Sequence, residues 1–181
     1  MFVLGLGHKA RHGKNFVARA IIQHCAQDGL YAKEYGFADA LKVYCRVAFG
    51  MREKDPRLLQ TVGTDIFRRF NPDIWVRVLL DTIKEQGPDV AIITDMRFPN
   101  EADAVKALGG ATMCVRRLNE NGSLWLSTDR DPAHESETAL DLYDFDTYIE
   151  AHSGNLTGLT HRGIQEFRLL YNEYRPNLES A

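Results

Sequence analysis

The sequence predicts an α/β fold, with a central, mainly parallel sheet and helices on both of its faces. Three observations carry that expectation. Short apolar runs alternate with stretches whose apolar residues recur at helical spacing, as Phe16, Val17, Ala20, Ile21 and Cys25 do. One of the runs, Val90–Ile93, is apolar without alternation, which suits a strand covered on both faces, and Ala111–Val115 reads as another buried strand. A turn rich in glycine and basic residues, Gly7 to Lys14, joins the first run to the first helix.

The elements follow in order. Phe2 to Leu6 is the first strand, and the helix after the basic turn stops at Gly29. Tyr31 to Phe37 is a second strand. Ala38 to Phe49 is a helix, with Asp39 near its start and Gly50 just after it. Asp55-Pro56 opens a further helix that runs roughly to Phe70; Pro72 breaks it, and Asp73 to Gln86 is helical again. Gly87-Pro88 punctuates the chain before the central strand Val90–Ile93, which ends in Thr94-Asp95. Pro99-Asn100-Glu101 begins a helix that Gly109-Gly110 ends. Ala111–Val115 is the next strand, with Arg116-Arg117 just past it. Asn119 to Glu137 is polar, Tyr143 to Ile149 is a last short strand, and Leu159 to Tyr174 is a closing helix ended by Pro176. No repeat, low-complexity tract or linker interrupts this order, so residues 1–181 are expected to form a single domain.

A chain of 181 residues can bury one substantial core and is short for two. With 44% hydrophobic and 26% charged residues, disorder of the whole chain is excluded. A net charge of -3 argues against an electrostatic grip on duplex nucleic acid. Cys25, Cys45 and Cys114 lie far apart in apolar runs, without a CxxC pair. They read as buried thiols of a reducing compartment, not as a disulfide framework or zinc site. The opening apolar run is too short for a signal core or a membrane span, which points to a cytoplasmic protein without a membrane partner.

The chemistry is concentrated at the ends of predicted strands. A loop that wraps a polyphosphate needs small residues, a lysine for the terminal phosphates, and a helix N-terminus directly after it. Gly7, Gly13 and Lys14 stand in that context. The spacing differs from GxxxxGK[ST]: His8 holds the place of the first glycine, and Asn15 the place of the hydroxyl residue that usually ligates magnesium. Either the Asn15 amide oxygen or a water would fill that role. Asp95, at the end of a central strand, is the candidate carboxylate beside magnesium. Arg11, Arg97, Arg116 and Arg117 lie in the loop or just past strand ends, where guanidinium groups would neutralise a moving phosphoryl group. The histidines lack the spacing of a metal site.

Several segments resemble the phage-type deoxynucleoside monophosphate kinases, within the P-loop nucleoside monophosphate kinase-like group. Ala10-Arg11-His12-Gly13-Lys14-Asn15 resembles that family's ARSGKD loop, and Phe37-Ala38-Asp39-Ala40-Leu41-Lys42 its FADPLK segment. Leu58-Leu59-Gln60 with Gly63-Thr64 resembles its LLQ..GT helix. Thr94-Asp95-Met96-Arg97-Phe98-Pro99-Asn100-Glu101 resembles its TDvRFpNE signature, the most specific of these matches. His134-Glu135-Ser136-Glu137 with Phe145-Asp146 resembles its H.SE…FD stretch. The loop departs from the family, which usually has a serine where His12 stands, a glycine at His8, and Asp-Thr after the lysine where this chain has Asn15-Phe16.

The resemblance implies a three-layer P-loop NTPase fold and transfer of the ATP γ-phosphoryl group to a deoxynucleoside monophosphate, with Mg2+ as cofactor. It places ATP on Gly7, His8, Ala10, Arg11, His12, Gly13, Lys14, Asn15 and Phe16. Lys14 and Arg97, with Arg116 or Arg117, would be catalytic, and Asp95 and Asn15 would hold the metal. The acceptor would lie on Asp39, Lys42, Gln60, Thr64, Arg68, Trp75, Arg97 and Glu101, over a helical region of about 38–86. A segment of about 117–140 would close as a lid. A kinase of another small acceptor, similar to dephospho-coenzyme A kinase, and a non-catalytic nucleotide-binding protein are the rival readings. A phage-encoded chain would work in the host cytoplasm. The sequence leaves open the accepted base and the oligomeric state, monomer or homodimer.

Overall fold

A computed structural model describes residues 1–129 and 131–179. In chain order the elements are β1 (Phe2–Gly7), α1 (Lys14–Gln27), β2 (Ala32–Tyr35), α2 (Asp39–Phe49) and α3 (Pro56–Gln60). The last of these continues into a π-helical stretch, Thr61–Arg68. Then come α4 (Ile74–Gln86), β3 (Val90–Met96), α5 (Pro99–Ala107), β4 (Ala111–Leu118), α6 (Glu135–Thr138), β5 (Thr147–His152) and α7 (Leu156–Glu179).

The five strands form one parallel sheet in the order β2-β3-β1-β4-β5. Side chains of β1 alternate between its two faces. Phe2, Leu4 and Leu6 pack with Val17 and Ile21 of α1 and Phe167 and Leu170 of α7. Val3 belongs to the opposite core, with Leu79 and Ile83 of α4 and Val105 of α5. Burying each such side chain is worth about 1.5–3 kcal/mol, so β1 is held firmly from both sides. A Cβ on Gly7 would come within 2.6 Å of Phe145, so this glycine admits an aromatic ring. From β1 the chain turns to β2 and β3 on one side, then crosses to β4 and β5 on the other. Ligands of open α/β sheets bind outside the strand C-terminal ends at such a reversal.

Four local features differ from the expectation. The helix after Asp55 is π-helical in its middle. Gly63 there lies against Leu41, whose Cδ2 would be 2.4 Å from an added Cβ, and its carbonyl accepts from Trp75 Nε1 at 3.2 Å. Strand β4 reaches Leu118, because β5 pairs with it over Arg116↔Glu150 and Arg117↔Ala151. Strand β5 begins at Thr147 and not at Tyr143; Asp146 just before it accepts from the Thr112 N–H and hydroxyl, both at 2.7 Å. The closing helix starts at Leu156, after Asn155 Oδ1 caps the Gly158 N–H at 2.9 Å. It runs on past Pro176 to Glu179. Arg130, within the predicted lid segment, and Ser180 and Ala181 lie outside the described residues. Among the described residues, no helix is long and apolar enough to cross a membrane. Cys25, Cys45 and Cys114 are free and buried.

Candidate active site

The loop from β1 to α1 carries three residues with positive φ, His8, Arg11 and Gly13 at 84°, 58° and 92°, a backbone conformation that can turn N–H groups toward an anion. Non-glycine residues in that region cost on the order of 1–2 kcal/mol each, so surrounding contacts must hold them. The His8 carbonyl accepts from Arg97 Nη1 at 2.8 Å and Lys14 Nζ at 3.2 Å. The Arg11 guanidinium pairs with Asp129 at 2.5 Å. Lys14 is buried, and its Nζ also donates to the Lys9 carbonyl at 2.5 Å. Burial first, then Arg97, pulls its ammonium well below the ordinary lysine range. A polyphosphate bound in the loop would act in the opposite sense.

His12 faces the cleft but is committed to backbone. Its Nε2 lies 2.9 Å from the Trp125 carbonyl, and its Nδ1 lies 3.3 Å from the Arg117 N–H. Burial holds its pKa down to about 4, so the ring is neutral, with Nδ1 also 3.2 Å from the Val115 carbonyl. The residue that replaces the family's loop serine thus bolts the loop to β4. His8 is buried too, with a pKa lowered to about 4 mainly by burial and then by Lys9; its Nε2 lies 3.3 Å from Asp141.

These two histidines predict an acid sensitivity. Each binds a proton near pH 6.5 when unfolded but only near 4 when folded. The unfolded chain therefore takes up more protons over that interval, and stability falls as pH falls. Glu101, pushed up to about 7 by burial, works the other way, one group against two. The expected net loss between pH 7.5 and 4.5 is on the order of 2 kcal/mol. Thermal unfolding across that range checks it. His8→Asn, which tolerates positive φ, should flatten the slope, and a flat profile in the unaltered protein would refute neutral burial of the pair.

The loop forms one end of a cleft of about 850 Å³. Ala10, Arg11, His12, Gly13, Lys14 and Asn15 line that end. All eight residues expected at the acceptor lie on the rest of its wall. Asp39 and Lys42 come from α2 and pair at 2.7 Å. Gln60 ends α3, Thr64 and Arg68 lie on the π-helical stretch, and Trp75 opens α4. Arg97 and Glu101 flank the start of α5. Glu101 is fully buried; its Oε2 accepts from the N–H groups of Arg97 at 2.6 Å and Phe98 at 3.1 Å, and its Oε1 from Arg68. The Arg68 guanidinium also stacks over the Phe98 ring, 4.1 Å from its centroid.

Asp95 lines the cleft as well, but its carboxylate is in use. Oδ1 accepts from the Phe37 N–H at 2.7 Å and Oδ2 from the Ala38 N–H at 3.0 Å. Asp95 therefore anchors the start of α2, and each oxygen keeps a second lone pair.

Five predicted residues stand outside the cleft. Arg116 and Arg117 remain within β4, so strand pairing directs them away. Arg116 bonds Glu150 at 3.2 Å and lies over Tyr148; Arg117 bonds Ser153 at 2.9 Å and stacks on Trp125. Neither lines the cleft. Gly7 is taken up by the Phe145 ring, His8 points inward beneath the loop, and Phe16 is half exposed on α1.

Other residues enter that the spacing did not single out. Glu34 Oε1 accepts from Asn15 Nδ2 at 2.6 Å and from Thr94 Oγ1 at 3.0 Å. The charged pair Lys33-Glu34 inside a predicted strand was the available signal. Glu137 Oε2 accepts from the Ala10 N–H at 3.0 Å and lies 3.4 Å from Arg97 Nη1. Asp129 and Ser136, from the segment expected to be a lid, also line the cleft, Ser136 accepting from Gln60 at 3.3 Å. Among the described residues, no group of three or more His, Cys, Asp or Glu side chains forms a metal cage.

The comparisons with known proteins agree with this geometry. A family model described as deoxynucleotide monophosphate kinase matches residues 56–162. A stretch of 51 residues, 28% of this chain, is 43% identical to the deoxynucleoside-5′-monophosphate kinase of Escherichia phage T5, but covers only 20% of that protein. A protein of Acanthamoeba polyphaga mimivirus, provisionally named a deoxynucleotide monophosphate kinase, is 30% identical over 152 residues, 65% of this chain and 75% of its own. The crystal structure of a sugar kinase from Janibacter sp. HTCC2649 superposes with a TM-score of 0.51 at 14% identity, over 95% of each chain, and supports the P-loop kinase fold alone. By the family model and the mimivirus relative, this chain belongs to the deoxynucleotide monophosphate kinase family.

Proposed function

We propose that this protein transfers the γ-phosphoryl group of ATP to a deoxynucleoside 5′-monophosphate, giving the diphosphate and ADP. The observation that carries the reading is one continuous cleft with the loop residues Ala10 to Asn15 at one end and the Asp39-to-Arg68 wall at the other. Donor and acceptor phosphates would meet between them, beside Arg97.

In this reading the loop N–H groups and Lys14 hold the β- and γ-phosphates. Arg97, fixed by the His8 carbonyl and Glu137, is the guanidinium in place to offset charge on the moving group. Arg68, held flat by Phe98 and Glu101, presents a fork to the acceptor phosphate. Trp75 and Leu59 supply apolar surface for the base. The oxygen donors Asn15, Glu34 and Asp95 along one wall suit a hard cation such as magnesium, with Asn15 and Asp95 as its holders. When bound there, magnesium supplies charge neutralisation at the donor phosphates. The expected lid of about 117–140, apart from Arg117 and Leu118 which β4 holds, is tied down through Arg11–Asp129 and Gln60–Ser136 and excludes water that would compete as acceptor. The partners are ATP and the monophosphate, with no role for duplex nucleic acid.

The test is coupled ADP release with ATP and each natural deoxynucleoside monophosphate, with thymidine set against its monophosphate. Losing charge-assisted bonds of about 1.5–3 kcal/mol each should make the free nucleoside at least tenfold poorer. Equal use of thymidine would sink the acceptor assignment.

A further inference from the structure

We propose that Glu34 is a positioning residue for the metal of the donor nucleotide, acting by fixing the side chain of Asn15. The inference rests on the kinase reading above and deepens it at the donor end of the cleft.

The starting point is chemical. Asn15, unlike a hydroxyl residue at this place, carries an amide with two unlike faces. Its oxygen attracts a cation and its NH2 repels one. A freely rotating amide would present the wrong face much of the time. Only the NH2 group can donate to a carboxylate, and Nδ2 lies 2.6 Å from Glu34 Oε1. With that face committed, Oδ1 lies on the opposite side of the amide. Glu34 is itself fixed: Thr94 Oγ1 donates to the same oxygen at 3.0 Å, and β2 pairs with β3 through Glu34↔Ile92 and Tyr35↔Ile93. Asn15, Glu34 and Thr94 thus form a chain of hydrogen bonds across the mouths of α1, β2 and β3.

Two further observations separate this from an ordinary surface contact. No salt bridge pairs Glu34 with a cation among the described residues, although it lines a cleft that holds Lys14, Arg11 and Arg97. Its charge is directed to a neutral amide and a hydroxyl. Asp95, the other carboxylate at this end, accepts two backbone N–H groups and secures α2 while keeping a lone pair on each oxygen for the metal, whereas Glu34 bonds only the Asn15 amide and the Thr94 hydroxyl. Residues that orient a metal ligand typically change metal affinity 10–100-fold when removed.

The experiment measures ATP affinity by calorimetry, with magnesium and with EDTA, for the unaltered protein, Glu34→Ala, Glu34→Gln, Asn15→Ala and the double alanine variant. Glu34→Ala should reduce the magnesium-dependent gain in ATP affinity about tenfold, while affinity in EDTA stays unchanged. The double variant should be no worse than Asn15→Ala alone. Glu34→Gln should retain most of the gain, because its amide oxygen still accepts from Asn15. An unchanged gain in Glu34→Ala overturns the proposal, as does an equal loss with and without magnesium, which marks a merely structural role. Glu34→Gln as impaired as Glu34→Ala overturns it too, since the charge itself would then matter. ATP binding that shows these effects without phosphorylation of any monophosphate would refute the kinase reading and leave the role of Glu34 standing. No ATP binding, or no magnesium gain, in the unaltered protein would end this inference.

Discussion

Lys14→Met is expected to lower turnover about 10³-fold with little change in acceptor KM. The side chain is buried at the junction of loop and helix, where charge on the transferred group would have to be met without solvent. Removing one such donor typically costs about 3–4 kcal/mol in the transition state. Methionine keeps most of the aliphatic stem, so packing at the start of α1 survives. The His8 carbonyl still accepts from Arg97, and only the Lys9 carbonyl loses its partner from this side chain. Melting temperature should therefore move by no more than a few degrees. Steady-state kinetics beside thermal unfolding decide the matter. Turnover within tenfold of the unaltered protein would remove the loop from the chemistry.

Glu101→Ala should produce the largest loss of stability. Its carboxylate serves three donors at once: the Arg97 and Phe98 N–H groups and the Arg68 guanidinium. Both partners of the ion pair are shielded, Glu101 fully and Arg68 nearly so. Deleting one member strands the other, which costs about 3–5 kcal/mol. For a chain of this size that corresponds to roughly 10 °C in melting temperature. The first turn of α5 also loses its capping carboxylate. Glu101→Gln keeps an acceptor oxygen for one of the amides and should be milder. A function-specific consequence follows, because Arg68 and Arg97 both face the cleft. At a temperature where the variant remains folded, the monophosphate KM should rise more than the ATP KM. Equal rises in both would place the damage in the fold as a whole.

The sequence by itself determined the sheet and the loop, while the residues on the rest of the cleft wall came only from resemblance. Both were written in short contiguous segments whose period or spacing is local, the unalternating apolar run of β3 and the step from Gly7 to Lys14. Tertiary structure decided where side chains at the segment edges point. Arg116 and Arg117 were expected past a strand end, but pairing with β5 extends β4 through them and turns them from the cleft. Asp95 was expected beside the metal, and the fold adds two backbone amides of a loop 57 and 58 positions earlier. Glu34 and Glu137 gain their meaning from Asn15, Thr94, Ala10 and Arg97, residues brought beside them only when the sheet closes. Periodicity reports which face of an element is apolar. A hydrogen bond between distant segments depends on register and on the crossing of loops, and no local pattern encodes either.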